Sequence, residues 1–517
     1  MDPFILQPSQ FRPYIESFNR QDQELYPRFI PNRGAWDFLS QNIPWFDCPD
    51  KELELTYYFR WWTFRKHIKQ TPQGFVITEF LPDVSWAGKY NTINLTAPVH
   101  INEGRWLRDR RFVRGYVNFW WRQGGTINGP RAYANWLTHA LWECAKAWGD
   151  VDAMADYLPE MADNDHAWRR GWDIPGFGPA EGGAFHVGLH PNGLFFQADN
   201  YEGTEYSISG YGYRPLTNSA MCANAAAIAA FARHAGNRQL ALQFQAESDR
   251  LRQAIHHQLW NADLAFFCTR TPAGEWAAVR ELCGYAPWYF GVADKGRDAG
   301  WAQIRDSSGF AAPYGPTFPE QRHPDFKLSY EGHECQWNGP SWPLATSMTL
   351  TAMANLLNDY PQSTIDVRDY FNTLLCYARS HRRVREDGAL LPWIDENLHP
   401  YNGDWIARRR YRPKWMADGI NVERGKDYNH STFCDLIITG LVGLRPQLDP
   451  VLRINPLLPD NAWDYFCLDG IPYHNGSLTI LWDRAGSRYG QGPGLHLFRN
   501  GSRLASRPTL GQLQATP

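Results

Sequence analysis

The chain lacks the signatures that would place it outside the ordinary globular proteins. It holds no run of about 18 apolar residues, so the sequence predicts no transmembrane helix. The formal net charge is only −3 over 517 residues, which gives no reason to expect binding to nucleic acid or to an anionic membrane. The first residues form neither a basic segment nor a long apolar one. We therefore expect a cytoplasmic protein. The sequence leaves open that a leader peptide has already been removed.

Several chemical signatures are missing as well. The nine cysteines form no CxxC pair and show no zinc-ligand spacing, which favours buried free thiols over disulfides or a metal centre. The sequence also lacks the GxSxG of serine hydrolases, the HExxH of zinc proteases and the P-loop of nucleotide-binding proteins. We expect no metal and no cofactor, with a structural calcium ion left open.

Aromatic residues, in contrast, are abundant. The chain has 24 tryptophans, 25 tyrosines and 28 phenylalanines, or 15% of all residues. Most of them belong to a large core, but several tryptophans stand beside Gly, Pro, Asn, Asp or Arg, as loop residues do: Trp45, Trp86, Trp106, Trp337, Trp342, Trp393 and Trp405. Aromatic faces on loops stack on the apolar faces of sugar rings. Without a basic excess, carbohydrate is a better predicted ligand than nucleic acid.

The middle of the chain reads as pairs of helices. The pattern predicts helices over 131–148, 151–168, 219–234, 238–260, 341–357, 367–381 and 434–444. In each pair one member is rich in small apolar residues and the other is amphipathic, which is typical of two concentric layers. A plain helix bundle would have shorter loops between its helices.

The two ends of the chain differ from this pattern. Residues 1–95 read as a mixed segment packed on a barrel, with a helix over 54–68 and a strand over 73–81. Residues 96–445 would form the catalytic barrel. Residues 446–517 read as a small β module, because short strand-like runs over 466–468, 478–483 and 494–499 are separated by Asn-Gly turns.

Three long loops combine carboxylates with aromatic residues and glycine. They span 188–219, with Asp199, Glu202 and Glu205; 330–344, with Glu331 and Glu334; and 391–408, with Asp395, Glu396 and Asp404. A carboxylic acid in an aromatic pocket has its pKa raised by desolvation and can act as a general acid. Two such groups on one scaffold fit glycoside hydrolysis, which needs an acid on the leaving oxygen and a carboxylate that activates water.

Four motifs in these loops and after them carry a family resemblance. They are Glu-Gly-Thr-Glu-Tyr-Ser at 202–207, Trp-Asn-Gly-Pro-Ser-Trp-Pro at 337–343, Glu-Asn-Leu-His-Pro-Tyr-Asn-Gly at 396–403 and Asp-Tyr-Asn-His-Ser at 427–431. In this order they resemble motifs of the barrel glycosidases of glycoside hydrolase family 63 and of their mannosylglycerate-hydrolase-like and trehalase-like relatives. The resemblance covers about residues 90–445.

The resemblance implies a mainly α fold, an (α/α)6 toroid, and an inverting, exo-type hydrolase of an α-linked glycoside or oligosaccharide. Glu205 falls on the general acid, although the relatives carry Asp there, which leaves Asp199 as a rival. Glu396 falls on the general base. The residues expected to bind the sugar are Asp199, Trp106, Arg131, Tyr206, Arg214, Trp337, Trp342, Trp393 and His430.

Two other functions stay open at this point. A polysaccharide lyase on a similar toroid would use Tyr428, His430 and Arg424, with the arginine neutralising a uronate. A non-catalytic carbohydrate-binding protein would use the same loops and leave the sugar unchanged. The sequence does not fix the sugar, the linkage or the oligomeric state.

Overall fold

Helices are the most abundant regular structure in the molecule. A computed structural model describes residues 5–123, 133–175 and 184–516. The helices are α1 (Arg12–Gln21), α2 (Ala35–Asn42), α3 (Lys51–Lys66), α4 (Ala97–Gly104), α5 (Arg111–Arg122), α6 (Leu137–Trp148), α7 (Asp152–Ala155), α8 (Leu158–Arg170), α9 (Asp199–Glu202), α10 (Pro215–His234), α11 (Arg238–Gln258), α12 (Ala286–Tyr289), α13 (Pro343–Asp359), α14 (Val367–Ser380), α15 (Ile406–Asp418) and α16 (Cys434–Leu436). A π-helical turn, Ile437–Leu441, continues α16.

The strands are short and belong to several small sheets. They are β1 (Trp45–Asp47), β2 (Ile68–Thr71), β3 (Gly74–Ile77), β4 (Trp172–Pro175), β5 (Ala184–Leu189), β6 (Phe195–Gln197), β7 (Gly212–Tyr213), β8 (Trp260–Asn261), β9 (Phe266–Phe267), β10 (Arg382–Val384), β11 (Leu390–Pro392), β12 (Leu452–Ile454), β13 (Tyr465–Tyr473), β14 (Gly476–Asp483), β15 (Gly494–Arg499), β16 (Ser502–Arg507) and β17 (Leu513–Ala515). The largest sheet has the order β1-β13-β14-β15-β16, and a second has the order β4-β5-β6-β7. The other sheets are two-stranded.

One set of helices contacts its neighbours in a closed order. Contacts run from α4 to α6, α10, α12 and α13, then to α16 and back to α4. Helices α5, α11 and α14 pack against members of this set, and α3 packs against both α14 and α16. The Ala-rich α10 buries nearly all of its side chains, whereas its partner α11 buries one face only. This helix-rich arrangement is consistent with the predicted toroid and adds several small sheets.

The sequence-based helices are confirmed in most places and wrong in one. The segment predicted as a single helix over 151–168 is two helices, α7 and α8, separated at Asp156 and Tyr157. Pro159 lies in the first turn of α8. Proline has no N–H for an internal helical bond and its ring crowds the preceding turn, so Pro159 favours the start of a new helix at this position.

The two ends of the chain share one sheet. Strand β1 pairs with β13 in antiparallel register, with Trp45 opposite Asp469. Helix α3 begins at the capping residue Asp50, and its Arg60 donates to the carbonyl of Ser431, just before α16. The N-terminal segment is therefore built into both the β module and the helical layer. The division into three domains stays a prediction.

Two further sequence features can be located. All nine cysteines are free, and all but Cys335 and Cys376 are buried. Over the ranges that the structure describes, we found no helix with the length and apolar character needed to cross a bilayer.

Candidate active site

The predicted loops meet at a cavity of about 410 Å³. Its walls include residues at or just before the starts of α4, α6, α13 and α16, so the cavity lies at the N-terminal ends of these helices. The lining residues are Glu79, Phe80, Trp86, Ile93, Leu95, Tyr133, Asn200, Gly203, Glu205, Tyr206, His333, Glu334, Cys335, Trp337, Trp342, Leu344, Glu396, Arg424, Tyr428 and His430. Both predicted catalytic carboxylates are among them.

The loop that carries Glu205 is fixed from behind by Arg214. This arginine is completely buried, and its Nε lies 2.5 Å from Glu202 Oε2. It also donates to Thr204 Oγ1 at 2.8 Å and to Ser209 Oγ at 2.9 Å. The expectation that Arg214 contacts the sugar is therefore wrong. Its guanidinium is fully buried and donates to several acceptors of the loop, so it stabilises the conformation of the loop instead.

Glu205 is held against the predicted tryptophan motif. Trp337 Nε1 donates to Glu205 Oε2 at 3.1 Å, and the Trp337 backbone N–H donates to the Glu205 carbonyl at 3.0 Å. Trp337 stacks on Trp342 with ring centroids 3.9 Å apart. Burial, with smaller contributions from the charges of Asp199 and Glu396, raises the pKa of Glu205 to about 7 although the Trp337 hydrogen bond opposes this. The carboxyl can therefore keep a proton near neutral pH.

Glu396 has the opposite surroundings. Its side chain is 1% exposed and accepts from Arg424 Nη2 at 2.9 Å. The other end of the guanidinium, Nη1, lies 3.1 Å from Glu334 Oε1. Rings of Trp86 and Tyr411 flank the guanidinium at 5.4 and 5.3 Å. Arg424 therefore pairs with the Glu396 carboxylate, and no cation pairs with Glu205 among the described residues.

Asp395 positions Glu396 from the side away from the cavity. It is fully buried, accepts the Glu396 backbone N–H at 2.8 Å and accepts from Trp393 Nε1 at 3.3 Å. Burial and the neighbouring Glu396 raise the pKa of Asp395 to about 7. A Cβ on Gly425 would lie 1.8 Å from Asp395 Oδ1, so only glycine fits at position 425.

Three more predicted residues also line the cavity. His430 is 2% exposed and packs against the Tyr428 ring at 4.0 Å. Within the described ranges, neither of its ring nitrogens has a well-aligned hydrogen-bond partner, although the ring interacts with the backbone of Glu396. Tyr206 is 53% exposed at the rim, with φ +60, and lies beside His333. Trp342 completes the wall beside Trp337.

The remaining predicted sugar-binding residues lie elsewhere. Trp106 is completely buried and its Nε1 donates to Asp435 at 2.7 Å, so its ring packs in the core. Trp393 lies between the guanidinium groups of Arg383 and Arg408 and lines a separate cavity. Contrary to expectation, neither ring lines the cavity that holds Glu205 and Glu396, because loop-like sequence neighbours do not report which way a side chain points.

Asp199 lies next to the cavity wall without lining it. Asp199 begins the short helix α9, and its backbone carbonyl accepts from Gly203 and Thr204. Its carboxylate acts on Glu205 through charge, although the cavity wall is formed by the next residue, Asn200. Arg131 lies outside the described residues.

Sequence reasoning missed Glu79. This residue lies within the predicted strand 73–81, two residues after β3 ends at Ile77, and it lines the cavity together with Phe80. A carboxylate near the end of a strand-like run was the available signal. The residues of the lyase hypothesis, Arg424, Tyr428 and His430, also line this cavity. Among the described residues, no group of three His, Cys, Asp or Glu side chains is arranged to hold a metal ion.

Comparisons with known proteins agree with the resemblance. The mannosylglycerate hydrolase MGH1-like glycoside hydrolase domain matches residues 89–431. A solved structure named "Sialidase" is 38% identical with a TM-score of 0.89, over 99% of this chain and 45% of that one. This chain therefore spans less than half of that protein.

Two more distant structures share less sequence. A GH78 family rhamnosidase of a Bacillus species is 13% identical with a TM-score of 0.54, over 86% of this chain and 40% of that one. This likeness concerns the fold alone. A GH63 mannosylglycerate hydrolase from Thermus thermophilus is 12% identical with a TM-score of 0.46, over 69% of this chain and 98% of that one.

Proposed function

The chain belongs to the mannosylglycerate hydrolase MGH1-like glycoside hydrolase family, and from this premise we propose that it hydrolyses an α-linked glycoside or oligosaccharide with inversion. Glu205 is the general acid and Glu396 is the general base. The helices that contact one another in closed order are the inner layer of an (α/α)6 toroid, and the loops at their N-terminal ends hold the sugar.

The contrast between the two carboxyl groups carries the proposal. They line one cavity, yet Glu205 has a pKa of about 7 whereas Glu396 is ion-paired with Arg424. One carboxyl with a raised pKa and one carboxyl paired with a cation are different surroundings of the kind that an acid and a base in one reaction require. Asp199 is the weaker candidate for the acid, since its neighbour Asn200, and not Asp199, lines the cavity.

The proposed reaction assigns one role to each carboxyl group. Glu205 donates its proton to the glycosidic oxygen as the bond to the anomeric carbon breaks. Glu396 removes a proton from a water molecule that attacks the opposite face of the ring. For a single displacement the two carboxyl groups should stand about 6.5–9.5 Å apart, which leaves room for that water.

The size of the site fits a terminal sugar. A cavity of about 410 Å³ lies within the range of small-molecule pockets. Trp337, Trp342, Tyr206 and His430 are the residues proposed to contact the sugar. A cytoplasmic location and independence from metals and cofactors stay predictions.

The two alternatives make different use of the same residues. A lyase would need Arg424 to neutralise a uronate, but this guanidinium is already shared by Glu334 and Glu396. Tyr428, which would act in elimination, donates to Glu79. A binding protein without catalysis would need no such difference between the surroundings of Glu205 and Glu396. Hydrolysis is therefore the function that these contacts favour.

The stereochemistry of the product tests the proposal. Proton NMR during the first turnovers of an α-linked 4-nitrophenyl glycoside or oligosaccharide should show the β-anomer before mutarotation. Release of the α-anomer would indicate a covalent intermediate and would end the inverting assignment. A 4,5-unsaturated product would indicate elimination, and binding without any product would leave the non-catalytic alternative.

A further inference from the structure

One wall of the cavity comes from outside the family-matched region. Glu79, Phe80 and Trp86 line the cavity, and all three precede residue 89, where the family match begins. Strand β3 ends at Ile77, and the chain is then fixed to the segment before α16. The Asn429 backbone N–H donates to the Glu79 carbonyl at 3.1 Å, and Asn429 Nδ2 donates to the Thr78 carbonyl at 3.2 Å.

The Glu79 side chain is buried without a cation beside it. It is 4% exposed, Tyr428 donates to its Oε1, and Thr96 Oγ1 lies 3.3 Å from its Oε2. No ion pair involves Glu79 in the part of the chain that the structure describes. Burial, and to a smaller extent the charges of Glu396 and Glu205, raise the pKa of Glu79 to about 8. At neutral pH this carboxyl is therefore mostly protonated.

A neutral carboxyl has a different chemical role from its two neighbours. It offers one O–H donor and keeps acceptor capacity, so it can pair with a hydroxyl group in either direction. Tyr428 donates to Oε1 and Thr96 donates to Oε2, and each oxygen keeps a second lone pair that can accept from a sugar hydroxyl. Among its described lining residues, the cavity also holds Glu205, Glu334 and Glu396 against a single guanidinium, that of Arg424, which two of them already share. Such surroundings favour an uncharged, hydroxyl-rich ligand over an anionic one.

We propose that Glu79 is a further substrate-binding residue, whose carboxyl, held by Tyr428 and Thr96, hydrogen-bonds the hydroxyls of an uncharged sugar lying between Glu205 and Glu396. The position of that sugar rests on the proposed function. The chemistry of recognition rests on the Glu79 contacts themselves. The substrate class is accordingly a glycoside whose terminal sugar carries no carboxylate.

Binding of free sugars tests this separately from catalysis. Trp337 and Trp342 lie in the cavity wall, so intrinsic tryptophan fluorescence can follow titration with D-glucose, D-mannose, D-galactose, L-rhamnose and D-glucuronate at pH 7. Glu79→Gln keeps a neutral donor and acceptor, and it should retain the affinity for the best neutral sugar within about threefold. Glu79→Met keeps the size without hydrogen bonds and should weaken that affinity about tenfold, equivalent to ~1.4 kcal/mol. Glucuronate should bind the unaltered chain at least about tenfold more weakly than glucose.

A second variant and a control keep the test decisive. Tyr428→Phe removes the group that orients Glu79, so it should weaken binding by about threefold even if Glu79→Met does not fold. Glu54 is also buried against a tyrosine, Tyr14, at 2.7 Å but lies outside the cavity wall, so Glu54→Met, checked for folding by circular dichroism, should leave sugar affinity unchanged.

The outcomes also separate this proposal from the proposed function. Equal binding by Glu79→Met and the unaltered chain, tighter binding of glucuronate than of glucose, or no binding of any neutral sugar would each overturn the role of Glu79. If Glu79→Met loses binding while no glycoside is ever hydrolysed, the role of Glu79 stands and the proposed hydrolysis fails. If hydrolysis depends on Glu205 while Glu79→Met binds sugar as tightly as the unaltered chain, the proposed hydrolysis stands and the role of Glu79 fails.

Discussion

Two cavities open on the same ring of helices, and the larger one is not the candidate site. A cavity of about 970 Å³ lies toward the C-terminal ends of the ring helices, and the site cavity of about 410 Å³ lies at their starts. In the larger cavity Lys146 pairs with Glu143 at 2.7 Å, and Arg105 pairs with Asp435 at 2.8 Å. In the smaller one the acids outnumber the cations.

One glutamate from each cavity shows how the surroundings in the two cavities differ. Burial alone would raise the pKa of Glu143, but Lys146, His139 and Arg105 lower it to about 2. Glu205 lies without such partners among the residues that the structure describes, and its pKa rises to about 7. The cations of the larger cavity also lie near helix ends, where the helix dipole favours positive charge. Uncompensated carboxyls, and not cavity volume, therefore identify the candidate site.

The largest expected effect comes from replacing one glutamate of each cavity by glutamine and comparing the activities of the two variants. Glu205→Gln keeps the shape but cannot donate the proton, so kcat should fall at least about 100-fold, the low end for loss of a general acid. Glu143→Gln should change kcat by less than about twofold, because its carboxylate is a fixed charge in a cavity without a catalytic role. Steady-state hydrolysis and thermal unfolding of both variants check this. A Glu143→Gln enzyme that is as inactive as Glu205→Gln would break the comparison.

The pH dependence sharpens the comparison further. A general acid works only while protonated, so kcat/KM should fall as pH rises through about 7, the pKa of Glu205, by roughly tenfold per pH unit beyond it. Glu143, with a pKa of about 2, is ionised throughout this range and contributes nothing to that limb. A pH profile of kcat/KM from 5 to about 9 measures it. A profile that stays flat up to pH 9 would exclude Glu205 as the acid.

The smallest effect should come from Asp199. Its charge is among the causes that raise the Glu205 pKa, so Asp199→Asn should move the alkaline limb to lower pH while reducing the maximal rate by less than about threefold. The same pH profile, recorded on this variant, measures the shift. If Asp199→Asn is inactive and Glu205→Gln is not, the acid has been assigned six positions too late.

The sequence predicted the helices and the loops of the site better than the direction of single side chains. Glu205, Glu396, Trp337, Trp342, Tyr206 and His430 all line the cavity, as motif order and residue type predicted. Trp106, Trp393 and Arg214 do not, because polar or glycine neighbours mark a loop without fixing which side of it faces inward. Glu79 was missed because its role depends on Tyr428, a contact 349 residues away along the chain.

The organisation of the two ends was also beyond the reach of local patterns. The sequence predicted a separate N-terminal segment and a separate β module. The pairing of β1 with β13 joins them into one sheet. A strand that pairs with a distant segment shows only the usual alternation of apolar and polar residues. Its sequence therefore does not identify the strand with which it pairs.

That shared sheet sets an order of events during synthesis. The first strand emerges from the ribosome more than four hundred residues before the strand that pairs with it, and Glu79 emerges hundreds of residues before Tyr428 and Asn429. Until then the N-terminal segment has no sheet to join, and long-range pairings of this kind form slowly. Activity should therefore appear only once nearly the whole chain has been made, and a chaperone that shelters the early segment would have the longest interval in which to act.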